Sequence, residues 1–282
     1  MSSDRAALPS PVLAERASSR RRRSGGPRTR YAVISWSAPL TFLVIWEACA
    51  RGGLIEPALL PAPSSVFVTA EKLVVTGELQ TNLLASLWRS LTGLALGVTV
   101  GLSLGIAVGL SRLAEALFDR SLQTLRAVPF LAIMPLVIVW FGVGDSGKVF
   151  LIALGALFPT YLNTVLGIRQ VDPKLLEMAQ MMGLSGVQLV AYTVLPGALP
   201  SILNGLRLAL TTSWIALVVA ESVGAEAGIG FLATNAREFL QTDVMVLVIV
   251  LYALIGLLAD LLVRQLERRL LAWHPNYVKA RS

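Results

Sequence analysis

From Ser90 to Leu110 the chain reads SLTGLALGVTVGLSLGIAVGL, without one ionisable side chain. At ~1.5 Å of rise per residue, a helix over this stretch is about 31 Å long, the thickness of a bilayer's hydrocarbon core. Length and apolarity together predict a helix that crosses a membrane. Gly93, Gly97, Gly101, Gly105 and Gly109 recur at every fourth position. On a helix they form one slowly drifting groove that lets a second backbone approach closely in lipid. Two readings of that groove stand at this point, a fixed packing face and an interface that moves.

The same character extends outward. Hydrophobic residues make up 55% of the 282 positions and charged residues 15%, more apolar surface than one soluble core absorbs. Bounded by flanking charges, the apolar stretches run from Tyr31 to Ala50, Ser90 to Leu110, Ala127 to Gly142, Val149 to Ile168, Ser201 to Ala220 and Val244 to Val263. The third is short for a span. The fold expected is all-α, a polytopic membrane protein with six transmembrane helices.

Basic residues orient it, because loops on the cytoplasmic side retain Lys and Arg. With the N-terminus inside, nineteen of the 24 lie on the cytoplasmic side, and only Arg51, Lys72, Arg89, Lys148 and Arg237 lie outside. This predicts a multi-pass protein of the cell (cytoplasmic) membrane with both termini cytoplasmic. Residues 1–30, rich in Ser, Arg and Pro, read as a disordered basic tail; residues 31–268 form the membrane domain, with a loop at 169–200, and 269–282 a cytoplasmic tail. The run Arg20 to Arg23 resembles an export signal, but the spans that follow make it an anchor flank. The net charge of +7 belongs to that inner face and not to nucleic-acid binding. A single cysteine, Cys49, excludes a disulfide framework.

Between the spans, Pro61 and Pro63 break any helix, and Ser64 or Ser65 is placed to cap a short amphipathic helix through Lys72. Pro129, Pro135 and Pro159 are expected to kink the third and fourth spans. Gly224, Gly228 and Gly230 suggest a turn or re-entrant segment before Phe231 to Leu240.

The loop between the fourth and fifth spans is the most informative segment. Asp172 is a natural N-cap, Pro173 a natural first helical residue and Gly183 a natural stop, which brackets a ten-residue helix. Ser185 and Gln188 form a capping-box pattern for a second short helix, ended by Pro196 and Pro200. The result is a helix-turn-helix in the cytoplasm. Leu175, Leu176, Met178, Met181 and Met182 give it no phosphate-binding character, but flexible thioethers suit a protein groove that changes shape.

Glu177-Met178-Ala179, Gly183 and Leu195-Pro196 resemble the EAA loop of ABC importer permeases, departing from it mildly at Met178 and Thr193. Leu195 to Ser201, Val219-Ala220-Glu221, Gly228 to Leu232, Asn235 to Asp243 and Trp273 to Tyr277 resemble the nitrate, sulfonate and taurine branch, most of all its aliphatic sulfonate permeases. The likeness covers about Leu60 to Tyr277. It implies that Glu177, Ala179, Gly183, Leu195 and Pro196 couple the chain to a separate ABC ATPase subunit, where ATP is hydrolysed. It implies further a permease homodimer and an extracytoplasmic substrate-binding protein that delivers the anion. Taurine, nitrate or another small organic anion fits the same machinery.

Charges within spans are costly, ~2.5–3.5 kcal/mol at a helix centre, and must face protein or water. Arg207 is a candidate for anion contact, although snorkelling to the cytoplasmic surface explains it as well. Asn163, Thr211 and Ser213 offer neutral hydrogen bonds typical also of helix packing, and Glu221 lies near a span end. No G-x-x-x-x-G-K-[ST] run occurs, and His274 is the only histidine, so ATP hydrolysis, triad chemistry and a metal cluster are not expected on this chain. An ion-driven secondary transporter would need paired half-helices around midplane acids and leaves the docking loop without a purpose, as does a passive scaffold.

Overall fold

The computed structural model describes residues 28–273, with the side chains of all of these except 28–36 and 130–131. Every regular element among them is helical. The chain divides into two units, one ending at Ile55 and the other beginning at Glu56. The first holds α1, Arg28–Arg51, with Pro39 inside it and an ion pair between Glu47 and Arg51 one turn apart. The second holds α2 (Pro63–Val75), α3 (Glu78–Leu110) and α4, which is assembled from Arg112–Ala114, a π turn Glu115–Asp119 and Arg120–Leu125. It continues with α5 (Phe130–Phe141), α6 (Asp145–Arg169), α7 (Pro173–Met181), α8 (Gly186–Glu221), α9 (Ile229–Glu238) and α10 (Thr242–Leu270).

Helices α3, α6, α8 and α10 are long and apolar enough to cross a membrane, and α5 is a shorter apolar helix of 12 residues. Five of the six apolar stretches fall wholly on helices that run past the charges used to delimit them, whereas in the third only Phe130–Phe141 is helical. Arg89, Asp145, Lys148 and Glu221 lie inside helices and not in loops, because each finds partners there. At the N-terminal side, α1 begins at Arg28, inside the segment read as tail, and residues 1–27 of that tail lie outside the described residues, as does His274. Helix α10 runs to Leu270, past the boundary expected at 268.

The core is a layer in which α6 lies between α3 and α8. The glycine column of α3 faces α6 at backbone distance. A Cβ on Gly93 would stand 2.6 Å from the Ile152 side chain, one on Gly101 2.6 Å from the Leu157 carbonyl oxygen, and one on Gly105 2.6 Å from Thr164. On the other flank a Cβ on Gly205 of α8 would stand 2.7 Å from Asn163 Cβ. The column is thus a packing face. Without a hydrophobic force between helices in lipid, close van der Waals contact of this kind is what holds them together.

Prolines act differently from expectation. Pro129 caps α5 (φ −64°, ψ 138°) instead of kinking it. Pro159 lies within α6 and cannot donate to the Gly155 carbonyl one turn back; Thr212 Oγ1 of α8 donates to that oxygen at 2.7 Å. The polar deficit made by a proline is corrected by a neighbouring helix, as lipid requires. Ala62, and not a serine, is the N-cap of α2, with Pro63 as first residue; Ser65 Oγ donates to Ala62 O at 2.7 Å. Helices α2 and α9 lie against the start of α10, where Leu73, Ile229, Leu232, Ala236, Val244 and Val248 pack together and Thr69 Oγ1 donates to Asp243 Oδ2 at 2.6 Å.

Candidate functional site

Helix α7 forms at the end of α6 because both its termini are written locally. Asp172 Oδ1 accepts from Lys174 N at 2.9 Å and Pro173 occupies the first position. At the other end Leu184 N donates to Ala179 O at 3.1 Å and Gly183 N to Gln180 O at 2.9 Å, with Gly183 at φ +86°. This is a Schellman closure. A Cβ on Gly183 meets nothing within 4 Å, so the demand for glycine is conformational and not steric. The helix is nine residues long, one shorter than expected.

Its two faces differ sharply. Ala179 is buried and Leu176 packs on Ile168, Val171, Val194 and Ala198. Outward, Leu175, Met178, Met181 and Met182 are exposed, Met181 to 87%, and Val187 and Tyr192 of α8 are exposed as well. Glu177 is exposed beside them. A contiguous exposed apolar patch marks an interaction site.

The helix after the turn is not short. Ser185 takes the N-cap position without a side-chain cap bond, so the expected capping box does not form. Pro196 and Pro200 do not end the helix. Val190–Val194 widens into a π turn just before Leu195-Pro196, so the missing Pro196 amide falls where the ladder is already irregular. The helix then continues unbroken to Glu221.

At that opposite end lies a cluster that sequence reasoning did not assemble. Glu221 is 1% exposed. Its carboxylate accepts from Ser86 Oγ at 2.8 Å, Arg89 Nη1 at 2.9 Å and Gly230 N at 2.9 Å. Ser86 Oγ accepts from Ile229 N at 2.8 Å and Asn82 Oδ1 from Gly228 N at 2.7 Å. Three amides at the start of α9, which have no acceptor within their own helix, are thus capped by side chains from α3 and α8. The carboxylate also sits at the positive end of the α9 dipole. Arg89 completes the cluster by donating to Asp145 Oδ1 at 2.8 Å and Ala227 O at 2.6 Å. Lys148, also buried, donates to Val143 O at 2.7 Å. A Cβ on Gly230 would stand 2.6 Å from Glu221 Cβ, so the cluster closes only around glycine. The signal available in the sequence was the spacing of Asn82, Ser86 and Arg89, which share one helical face.

Of the residues singled out for a translocation path, Arg207 and Thr211 come together, and Asn163, Ser213 and Glu221 lie apart from them. Arg207 Nη2 pairs with Glu267 Oε2 at 2.8 Å, and its Nε lies 3.6 Å from Asp260. With Thr211 it lines a cavity of about 310 Å³ between α3, α8 and α10, walled chiefly by Leu87, Leu91, Leu94 and Trp214. Asn163 Oδ1 accepts from Asn204 Nδ2 at 3.0 Å. Ser213 is buried and its hydroxyl donates back to Leu210 O at 3.2 Å, while Glu221 is held in the buried cluster.

Comparison with known proteins adds a further set of findings. The family described as binding-protein-dependent transport system inner membrane component matches residues 97–272. A protein of Escherichia coli K12 named "Putative aliphatic sulfonates transport permease protein SsuC" is 51% identical over 245 residues, 87% of this chain and 93% of its own length. Its Bacillus subtilis namesake is 43% identical over 239 residues, covering 85% and 87%. The taurine transport system permease protein TauC of E. coli K12 is 37% identical over 271 residues, covering 93% and 98%. Among solved structures, the inward-facing MetNI methionine ABC transporter has a chain matching at TM-score 0.53 and 21% identity over 65% of this chain and 94% of that one. An amino acid ABC transporter with histidines matches at TM-score 0.56 and 20% identity, over 72% and 96%. These two show a shared fold.

Proposed function

Because the chain belongs to the family of binding-protein-dependent transport system inner membrane components, we propose that it is the subunit through which aliphatic sulfonates cross the membrane in an ATP-driven importer. It is a transport subunit and not an enzyme. The substrate class is supported by the SsuC relatives. The observation that carries the mechanism is the apolar outer face of α7, where Met178, Met181 and Met182 stand exposed beside Glu177. Such a face on a helix just outside the spans suits a cleft in an ATPase subunit, with Ala179 and the Gly183 turn fixing its pose and Leu195-Pro196 joining it to α8.

In this reading α1, α5 and the four long apolar helices make six spans, with α7 and both termini cytoplasmic. Helix α5, about 18 Å long at ~1.5 Å per residue, completes its passage with the irregular residues that flank it, sheltered by protein. Two copies form the passage, and a substrate-binding protein delivers the anion on the side where α2 and α9 lie. Asn163, Arg207, Thr211, Ser213 and Glu221 are the polar groups we assign to that route; Asn163 is bonded at both ends of its amide, to Pro159 O and Asn204 Nδ2, while Thr211 is exposed on its helix and is the better placed to meet substrate. ATP is bound and hydrolysed on the partner.

Uptake of labelled ethanesulfonate, taurine and nitrate by cells lacking this gene tests the reading. The natural chain is expected to restore ethanesulfonate uptake, and Gly183→Val to abolish it at equal membrane abundance. Restoration of taurine uptake instead would move the substrate to that of TauC, and full activity of Gly183→Val would remove α7 from the mechanism.

A further inference from the structure

The 33-residue α3 ends at Ser111, whose backbone turns extended (φ −124°, ψ 120°), and α4 follows at once with its first turn capped by Ser111 Oγ accepting from Ala114 N. The inner side of α4 is fully engaged. Ala114 and Leu122 pack on Val108, Tyr161 and Val165. Both acids of the helix are engaged as well: Glu115 pairs with Arg169 at 2.9 Å, and Asp119 accepts from the Tyr161 hydroxyl at 2.6 Å and from Gln123 Nε2 at 2.8 Å. The outer side is of opposite character. Leu113 is 71% exposed and Leu117 60%, with Phe118 beside them. Among them stand Arg112, Arg120 and, just beyond the helix, Arg126, all exposed. None of these three arginines belongs to an ion pair among the described residues.

We infer that α4 is a binding site for anionic phospholipid, with Leu113, Leu117 and Phe118 set between acyl chains at the rim of the bilayer and Arg112, Arg120 and Arg126 holding headgroup phosphates. Position supports this, because the apolar stretch of α3 spans the hydrocarbon core and ends at Leu110, which brings α4 to headgroup depth. Charge supports it too. With both carboxylates already partnered, the remaining charges of the helix are cationic, and guanidinium groups bind phosphate through paired hydrogen bonds. A basic helix with a leucine-rich face lies in the interface and draws on both apolar burial and attraction to anionic lipid. The two apolar surfaces at this end of the molecule thereby divide by chemistry, the methionine face of α7 carrying no arginine and the leucine face of α4 carrying three around it. The inference rests on membrane embedding and not on the sulfonate reading.

The test uses the full chain purified in mild detergent and equilibrated with equal amounts of phosphatidylglycerol and phosphatidylcholine, the lipids retained being counted by native mass spectrometry. The natural chain is expected to retain phosphatidylglycerol with a several-fold preference. Arg112→Gln, Arg120→Gln and Arg126→Gln combined bring that preference close to one, whereas the three Arg→Lys changes keep most of it. High salt during equilibration also lowers it, since exposed charges are screened. An undiminished preference in the glutamine variant, or one indifferent to salt, overturns the inference. So does loss of the ATPase subunit from that variant with lipid preference intact, which assigns the face to a protein partner.

Discussion

Glu221 is a carboxylate that survives burial only while its partners hold it. Replacing it with Ala removes the acceptor of Gly230 N and leaves the Arg89 guanidinium, itself 5% exposed, with Asp145 alone as counter-ion. Leaving half of a buried ion pair costs about 3–5 kcal/mol, so Glu221→Ala is expected to lower the midpoint of thermal unfolding in detergent markedly. Glu221→Gln keeps an acceptor for Ser86 and Gly230 and is expected to lose less; equal losses would mean that the capping bonds contribute nothing. This cluster was only half legible. The sequence marks Glu221 as a charged residue near a span end and Arg89 as a charge on the outer side, with no sign that the two meet. They lie 132 positions apart, and nothing local in a sequence announces a pairing across that distance.

At the scale of elements, the glycine column and helix α7 give contrasting predictions. A methyl group at Gly97 would meet the Ala153 carbonyl at less than van der Waals distance, so Gly97→Ala is expected to drive α3 off α6 and cut membrane abundance. Gly256 of α10 has nothing within 4 Å of a Cβ, and Gly256→Ala is expected to be neutral or to stabilise the helix by about 0.5–1 kcal/mol. The pair, compared by protein level and unfolding temperature, separates packing from helix propensity. On α7, Met181→Glu places a charge on the outer face without touching Ala179 or Leu176; it is expected to weaken copurification of the ATPase subunit several-fold while abundance stays unchanged. Helix α7 was legible because its cap, first-turn proline and glycine stop are short-range signals. The second helix was misread because Pro196 and Pro200 are ordinary stop signals, and only the π turn before them explains how the chain continues.

For the whole molecule the expected topology yields a labelling pattern. In a Cys49→Ser background, Phe239→Cys is expected to react with a membrane-impermeant maleimide on intact cells, and Met182→Cys only after the membrane is opened. Both side chains are well exposed, at 69% and 73%. Labelling of both from outside would exclude an odd number of crossings between them. The apolar lengths make a membrane fold legible in the sequence, and the distribution of basic residues supplies the orientation that this labelling tests. Neither reveals how far each helix runs, since charged residues are ordinary members of a helix and mark the limit of an apolar stretch, not of the helix. Helix α8 shows what that difference means. Its 36 residues, about 54 Å at ~1.5 Å per residue, join the exposed Val187 beside α7 to the cap of α9 through one rod. If an ATPase subunit docks at one end of this rod and a ligand binds at the other, reciprocity follows: whatever factor the partner applies to affinity on the far side, a ligand on the far side must return to the partner in equal measure.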